Sequence, residues 1–240
     1  MKQVIRVFLL LASGCLVVMM PACNLTSNEP SVYTFTFDFN IGIEGWRGDF
    51  ADYPEGDSVR MELVYAYGPM PENISKTRKG IRLAGNNLSD DLFMFITRRL
   101  SGFMPNTTYE VLFNVRFASN APTEAFGIGG APGESVIMKV GITNIEPKKE
   151  LKGTYYLMNI DKGNFNEGGA DMITIGHVGV APTTTQFTEI VRNNSYANVF
   201  KLQTNSRGEA WVIIGTDSGY SGITSLYYTG LDLIFNEVRQ

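Results

Sequence analysis

The sequence is poor in the side chains that build disulfides and most transition-metal centres. It contains 2 cysteines and 1 histidine in 240 residues. Both cysteines, Cys15 and Cys23, lie near the N-terminus, which excludes a disulfide framework or a cysteine-based zinc site in the remaining chain. Metal sites built from several histidines are excluded too, and a Ser-His-Asp catalytic site would depend on His177 alone.

Positive charge is also scarce. The chain has 20 Lys and Arg against 24 Asp and Glu, a net charge of −4. Proteins that bind nucleic acid present a basic face to the phosphate backbone. We therefore expect no nucleic-acid partner.

The N-terminal segment has the pattern of an export signal. Lys2 and Arg6 precede a short apolar run over residues 7–20, which is too short to span a bilayer comfortably. The ending Met-Pro-Ala-Cys, at Cys23, resembles the lipobox of bacterial lipoproteins. The resemblance implies cleavage before Cys23 and lipid attachment to it. The alternative is an ordinary signal peptide in which Cys23 has no role.

On the lipoprotein interpretation, the chain divides into a signal peptide (1–22), a lipidated cysteine with a flexible tether (23–31) and a folded domain (32–240). Each buried methylene of an acyl chain stabilises membrane association by about 0.8 kcal/mol, so several chains anchor a protein durably. The expected location is the cell envelope. Asn24 after the cysteine favours the outer membrane and leaves open the periplasmic or surface face.

The rest of the chain alternates apolar and polar residues with a period of two. Such runs lie at residues 33–39, 59–65, 109–117 and 136–142, and later candidates cover 198–204, 210–215, 223–228 and 231–238. Glycine, proline and asparagine separate the runs, and no long stretch has helical periodicity. This pattern predicts an all-β fold, an antiparallel β-sandwich in one domain.

Residues 39–46, Phe-Asn-Ile-Gly-Ile-Glu-Gly-Trp, resemble the entry motif of galactose-binding-like jelly rolls, the fold of many carbohydrate-binding modules. Residues 100–109, 211–215 and 231–235 are similar to later pieces of that fold, in the same order along the chain. The resemblance implies a jelly roll that binds a glycan. The chain departs from the pattern at Asn40, where an acidic residue is common, and in its long insert between residues 118 and 190.

Trp46 closes the entry motif. A tryptophan at a strand-to-loop corner buries a large apolar area, so we expect it to plug the core. The alternative is an exposed platform on which a ligand stacks.

Six carboxylates occur within twenty residues around Trp46. They are Asp38, Glu44, Asp49, Asp52, Glu55 and Asp57. The family resemblance implies a structural calcium between this loop and Asp232, with Glu44 and Asp49 as the other ligands. Calcium prefers carboxylate and carbonyl oxygens, but no EF-hand spacing is present. The alternative is an acidic loop that is only solvated.

Two loops have the residue types of a sugar site, which combines hydrogen-bonding groups with an aromatic face. The candidate ligand-binding residues are Asp217, Ser218, Tyr220, Tyr228, Asn86 and Asn87. Of the neighbours Tyr227 and Tyr228, one must point inward and one outward. The alternative for both loops is a strand connector in which Asp, Asn and Gly supply turn geometry.

The sequence leads to three alternative hypotheses for the function of the protein. The leading hypothesis is a non-catalytic, lipid-anchored envelope protein that binds carbohydrate. The second is a structural or protein-interaction subunit of an envelope assembly. The third is a polysaccharide hydrolase, which needs two carboxylates across a cleft; Asp90 and Asp91 are adjacent in sequence and are not expected to flank one bond.

Overall fold

The computed structural model describes residues 29–195 and 198–239. The predicted signal peptide, Cys23 and most of the tether lie outside the described residues. Within them there is no helix with the length and apolar character needed to span a membrane. The described chain is built from fifteen β-strands in three sheets.

The larger sheet has seven strands. They are β1 (Val32–Asp38), β4 (Val64–Pro69), β5 (Lys79–Asn86), β7 (Thr108–Ser119), β12 (Thr188–Asn193), β13 (Phe200–Gln203) and β15 (Ile223–Glu237). The long strand β15 pairs with β7 on one side and with β5 and β1 in turn on the other. Strand β7 pairs on its far side with β12 and β13. All these pairs are antiparallel.

The smaller sheet has five strands in the order β11-β8-β14-β6-β2. They are β2 (Arg47–Ala51), β6 (Leu92–Ser101), β8 (Val136–Thr143), β11 (Met172–His177) and β14 (Glu209–Ser218). A third sheet combines β3 (Tyr53–Pro54), β10 (Tyr155–Met158) and β9 (Lys149–Lys152). We call this third sheet, with the following segment 159–171, the cover.

The core lies between the larger and smaller sheets. The inward residues of β7 are at most 1% exposed: Tyr109, Val111, Phe113, Val115 and Phe117. The smaller sheet contributes Val136, Met138, Val140 and Ile142 from β8 in the same way. Because β-branched and aromatic residues pack well on a pleated surface, these alternating runs form strands. The prediction of an all-β antiparallel sandwich is confirmed.

The two sheets differ on their outer faces. A second apolar cluster lies between the smaller sheet and the cover, formed by Ala51, Phe93, Phe95, Met158, Ile160, Met172 and Ile213. This explains why residues 92–97 of β6 are buried at every position. The outward residues of β15 and β7 are in contrast half-exposed. The larger sheet therefore keeps an open outer face.

The sequence prediction is wrong for the run 59–65. Residues 55–63 form turns closed by local backbone hydrogen bonds, such as Met61 N to Asp57 O and Glu62 N to Val59 O. Met61 is buried whereas Val59 is exposed, so the apparent alternation belongs to a compact turn. The strand begins only at Val64.

The two strands predicted at residues 223–228 and 231–238 form one continuous strand, β15. An irregularity in the pairing of β15 with β7 falls between Tyr228 and Gly230. An extra residue shifts the alternation by one position, so that Leu226 and Tyr228 point inward before it and Leu231 and Leu233 after it. The sequence showed this shift as a break between two runs.

Candidate functional site

Polar side chains cross the open face of the larger sheet in a row. Strand pairing places Asn193 of β12 opposite Asn114 of β7, Asn114 opposite Asp232 of β15, and Asp232 opposite Thr36 of β1. Residues that pair directly lie on the same face of a sheet. With strands about 4.8 Å apart, the row is roughly 14 Å long. We call Asn193, Asn114, Asp232 and Thr36 the polar row.

Hydrogen bonds hold the centre of the polar row in place. Asn114 Nδ2 donates to Asp232 Oδ2 at 3.1 Å, and Arg116 forms an ion pair with the same oxygen. Partial burial acts to raise the pKa of Asp232, but the hydrogen bonds from Arg116 and Asn114 outweigh it and lower the pKa. Asp232 is therefore a fixed, ionised acceptor at neutral pH.

A hollow of about 240 Å³ lies beside the polar row. Leu112 and Ile234, which pair across β7 and β15, give it an apolar side. Asn194 is buried at its base, where its Oδ1 accepts from Phe113 N at 2.7 Å and its Nδ2 donates to Val111 O at 2.9 Å. Amide and carboxylate groups thus border an aliphatic surface, an arrangement suited to a ligand with a polar rim and apolar faces.

Tyr227 adds an aromatic side chain to the same face. It pairs with Arg82 of β5 and Ala118 of β7. The Arg82 guanidinium lies 5.7 Å from its ring centroid, and Phe187 packs edge-on at 5.1 Å. Tyr227 is half-buried, so part of the ring faces solvent, roughly 13 Å along β7 from the polar row.

Tyr228, the tyrosine named as a ligand-binding candidate, points the other way. It is fully buried, and burial raises the pKa of its hydroxyl. The assignment of Tyr228 is wrong because the two tyrosines alternate across the sheet and the irregularity at residue 229 had hidden which one faces the core. Tyr227 is the outward residue.

The other ligand-binding candidates tie loops together. Asn87 is buried and donates through Nδ2 to Ser218 O at 2.7 Å and to Tyr220 O at 3.1 Å. The hydroxyl of Ser218, also buried, donates to Tyr220 O at 3.1 Å. Asn86 is half-buried at the end of β5, and its backbone N donates to Met61 O. These residues lie close together, but the side-chain polar groups of Asn87 and Ser218 are used within the protein.

Asp217 belongs to a buried ionic cluster between the smaller sheet and the cover. Its Oδ2 accepts from Lys139 Nζ at 2.9 Å and from Lys162 Nζ at 2.7 Å. The side chains of Lys139 and Asp217 are 0% exposed. The prediction that Asp217 contacts a ligand is therefore wrong. Its carboxylate is paired instead with Lys139 and Lys162, which are 78 and 55 residues away in the sequence.

Two further aspartates complete the cluster. Asp52 Oδ2 lies 3.1 Å and Asp91 Oδ1 lies 3.7 Å from Lys162 Nζ. The Asp52 side chain is 7% exposed, whereas the Asp91 side chain is 52% exposed and reaches solvent. Burial, with the nearby charges of Asp217 and Asp52, raises the pKa of Asp91 to about 7. Lys139, Lys162, Asp52, Asp91 and Asp217 are called the ionic cluster below.

The three carboxylates expected to bind calcium are not brought together. Asp49 is on β2 at the edge of the smaller sheet, and its Oδ1 accepts from Lys149 Nζ at 2.8 Å. Asp232 is on the larger sheet and pairs with Arg116, while Glu44 lies in the loop before β2. Within residues 29–195 and 198–239, no group of three or more His, Cys, Asp or Glu side chains is arranged to hold a metal ion. The predicted grouping is thus wrong.

Trp46, at the end of the entry motif, lies in the core and is not an exposed platform. It is fully buried and packs edge-to-face against Phe37 at 5.4 Å and Phe39 at 6.1 Å. The prediction of a core plug is confirmed. His177 is also structural, since its Nδ1 accepts from Gly179 N at 3.0 Å.

Of the polar row, Asp232 was predicted from the sequence as a site residue, but for calcium; Asn193, Asn114 and Thr36 were not predicted. Asn114 and Arg116 stand between the inward residues Phe113, Val115 and Phe117. They therefore occupy the outward positions of a predicted strand. The sequence was enough to predict that these positions face outward. It was not enough to predict the pairing of β7 with β12 and β15, which builds the polar row.

No protein-family model matches the sequence, and a search of curated proteins finds no match. Solved structures with a similar course of the chain include the family 11 carbohydrate-binding module of a cellulosomal cellulase of Clostridium thermocellum. It is 10% identical, the match covers 85% of this chain and 95% of that chain, and the TM-score is 0.39. A cleaved adhesin domain of Lys-gingipain from Porphyromonas gingivalis is 10% identical, with 87% and 99% covered and a TM-score of 0.37.

A third match is the enzymatically active domain of tailspike protein 4 from bacteriophage CBA120. It is 10% identical with a TM-score of 0.35, and the match covers 84% of this chain but 20% of that chain. At TM-scores below 0.5 these likenesses decide neither ligand nor activity. Function must come from the residues of this chain.

Proposed function

We propose that this protein is a non-catalytic, lipid-anchored envelope protein that binds carbohydrate on the open face of its larger sheet. The observation that carries the proposal is the polar row beside the aliphatic pair Leu112 and Ile234. A sugar ring has hydroxyls at its rim and C–H groups on its faces. Amides and carboxylates satisfy the rim, and an apolar wall packs against the faces.

The length of the row favours an oligosaccharide. Four strands contribute to it, so contacts extend over roughly 14 Å. Tyr227 lies on the same face opposite Ala118, four residues along β7 from Asn114, and gives an aromatic surface roughly 13 Å from the row. The side chains that build the face are on strands and are held by Arg116, Arg82 and Phe187, so little ordering is needed on binding.

Anchoring through Cys23 complements this assignment. Strand β1 begins at Val32, opposite Asn236 near the end of β15, so the tether would enter at one end of the sandwich. The open face runs along the side of the domain, not across the end at which the tether would enter. Export to the envelope, with outer-membrane delivery, remains part of the proposal.

Binding of purified residues 24–240 to a glycan array and to soluble plant, host and bacterial polysaccharides tests the function. We expect retention by at least one glycan and no release of shorter fragments from it. Absence of binding across all three sources would contradict the proposal. Turnover of any glycan would contradict its non-catalytic part.

A second candidate function, protein interaction, is favoured by one observation. Leu88, Phe126 and Ile128, on loops, and Ile223, at the start of β15, are exposed at one end of the sandwich. Backbone hydrogen bonds join these loops, from Asn87 N to Gly222 O and from Ser221 N to Ile128 O. Exposed apolar residues that converge in this way are typical of contact surfaces.

Co-purification with envelope proteins from the native host tests this second function. The double substitution Phe126→Ser and Ile128→Ser should release a stoichiometric partner, while Ile145→Ser, an exposed apolar residue elsewhere, should keep it. Equal recovery with both variants would exclude the loop end as the contact.

A further inference from the structure

The ionic cluster holds an amine and a carboxyl in the position for bond formation. Lys139 on β8 and Asp217 on β14 lie on neighbouring strands, where Gly215 pairs with Lys139 and Asp217 pairs with Ile137. The two residues are therefore diagonal neighbours on the outer face of the smaller sheet. Lys139 Nζ is 2.9 Å from Asp217 Oδ2, so the carboxyl carbon lies one bond beyond the contact.

We propose that Lys139 and Asp217 form an intramolecular isopeptide bond, a covalent amide that crosslinks the two strands. The reaction joins Lys139 Nζ to Asp217 Cγ and releases one molecule of water. Amide formation from a lysine and an aspartate needs no oxidant, reductant or cofactor. It needs contact, a neutral amine, a proton path and the exclusion of bulk water.

Contact and exclusion of water are both met. The side chains of Lys139 and Asp217 are 0% exposed, and the cover closes over them. Lys139 Nζ also donates to the backbone oxygen of Lys162 at 3.0 Å, which fixes the amine. Holding two reactants in place in this way replaces the entropy cost of a bimolecular encounter. A site without bulk water also protects the product amide from hydrolysis.

The two lysines are not equivalent. Burial lowers the pKa of Lys139, although Asp217 acts in the opposite direction. Lys162 has a raised pKa: burial works to lower it, but Asp217, Asp52 and Asp91 outweigh that effect. Lys139 is therefore the amine that gives up a proton more easily, while Lys162 stays cationic next to Asp217 Oδ2. Lys139 is also fully buried, and Asp217 is its single ion-pair partner among the described residues, whereas Lys162 contacts Asp52 and Asp91 as well. We therefore assign Lys139 as the nucleophile and Lys162 as the charge that stabilises the developing oxyanion.

The oxygens of Asp217 differ as well. Oδ2 accepts from both lysines. Oδ1 is buried and has no hydrogen-bond donor in the described part of the chain. A buried acceptor without a donor is costly, and its departure as water removes that cost. Oδ1 is therefore the leaving oxygen and Oδ2 becomes the carbonyl oxygen of the amide.

A proton moves from the Lys139 ammonium to Asp217 Oδ1, which leaves a neutral amine and a neutral carboxylic acid. The Nζ lone pair forms the N–C bond with Cγ, and the carbonyl π pair moves to Oδ2 beside Lys162. A second proton passes from Nζ to Oδ1, carried by Asp91. The C–Oδ1 bond breaks, Oδ1 leaves with both protons as water, and the electron pair on Oδ2 restores the carbonyl.

Asp91 suits the role of proton carrier because it is part of the cluster and reaches solvent. Its pKa, raised to about 7 by burial and by Asp217 and Asp52, lets it accept and release a proton near neutral pH. Asp52 also lies beside Lys162 but is buried. The charged groups that face Asp217 from the smaller sheet and the cover are thus Lys139, Lys162, Asp52 and Asp91.

Mass spectrometry of the full chain, denatured and digested, tests the crosslink. We expect the fragments that contain Lys139 and Asp217 to appear joined and lighter by the mass of one water than the sum of the two. Two separate, unmodified fragments from the wild-type protein would overturn the proposal, with no variant needed.

Substitutions test the assignment of roles. Lys139→Arg keeps a cation at the site but should abolish the joined fragment, whereas Lys162→Arg should retain it. The reverse pattern would make Lys162 the nucleophile and overturn the assignment. Asp91→Asn should lower the fraction of crosslinked chains at a fixed time after synthesis and remove its dependence on pH between about 6 and 8. An unchanged rate and pH profile would exclude Asp91 as the proton carrier.

Discussion

Lys139 and Asp217 form a fully buried ion pair, with Nζ 2.9 Å from Oδ2, between two central strands of the smaller sheet. Lys162 brings a second cation to the same oxygen from the cover. The cover is thus fastened to the sandwich by charge at Lys162 and at the Lys149–Asp49 pair, and by the apolar cluster around Phe93 and Phe95. This arrangement leaves the larger sheet as the side with an open face.

Asp217→Ala should destabilise the protein strongly. The substitution leaves Lys139 buried without Asp217, its ion-pair partner before amide formation and its covalent partner after it, and removing one partner of a buried pair costs about 3–5 kcal/mol. Urea denaturation followed by intrinsic fluorescence measures the change. The control is Arg47→Ala, which removes an ion pair with Glu146 whose side chains are 60% and 45% exposed; we expect a loss of less than about 1 kcal/mol. Similar losses for both variants would contradict the buried pair.

The contribution of Asp91 to stability should fall as the pH rises towards neutrality. The pKa of Asp91 is raised to about 7, chiefly by burial and further by Asp217 and Asp52, from an ordinary value of 3.8. The folded state therefore holds this proton more tightly than the unfolded state. The resulting stabilisation is fully present below about pH 4 and is lost as the pH passes through about 7. Burial raises the pKa of Asp52 too, which acts in the same direction.

Asp91→Asn checks this linkage. The free energy of unfolding, measured by urea titration at a series of pH values, should depend less on pH between about 4 and 7 in the variant than in the wild type. Asp90→Asn, at the exposed neighbour, is the matched control and should follow the wild-type profile. Parallel profiles for all three proteins would count against the raised pKa.

Gly141 lets the cover lie close to the smaller sheet. A Cβ atom built at Gly141 would stand 2.0 Å from the backbone oxygen of Asp171, so Gly141→Ala must push the segment 159–171 away. We expect a loss of about 1–3 kcal/mol in thermal or urea unfolding. Gly42→Ala is the control because a Cβ there meets nothing within 4 Å. Equal stability of the two variants would show that the segment does not rest on β8.

Trp46→Ala should cost about 3–5 kcal/mol, the usual loss when a large buried aromatic is truncated. The edge-to-face contacts with Phe37 and Phe39 would disappear with it. Guanidinium denaturation monitored by circular dichroism measures the loss. Trp211→Ala is the comparison, since Trp211 is half-buried on the outer face of the smaller sheet. A larger loss at Trp211 than at Trp46 would contradict the role of Trp46 as a core plug.

The sequence predicted the fold better than the site, for a physical reason. Alternation along β7 and β8 depends on neighbouring positions alone, so the inward residues Phe113 and Val140 were readable directly. The role of Asp217 depends on Lys139 and Lys162, which are distant in sequence and reach it only after the cover has folded. A lone Asp-Ser-Gly turn carries no sign of such partners.

The face on which a strand residue lies could be predicted only in part. Tyr227 and Tyr228 could be assigned to opposite faces, but the choice needed the irregularity after Tyr228. The polar row likewise needs the pairing of four strands, because Asn193, Asn114 and Thr36 are far apart along the chain. The run 59–65 shows the opposite failure: alternation was present, but local hydrogen bonds such as Leu63 N to Ser58 O closed it into turns.

The central claim is that the open face of the larger sheet binds carbohydrate. Its most direct test is affinity electrophoresis of purified residues 24–240 in gels that contain a polysaccharide to which the wild-type protein binds. Asn193→Ala and Asn114→Ala together should abolish the retardation seen with the wild type, since both side chains belong to the polar row. Asn164→Ala, an exposed amide on the segment 159–171, should be retarded like the wild type. Retardation that survives the double substitution, or that is lost with Asn164→Ala instead, would contradict the account.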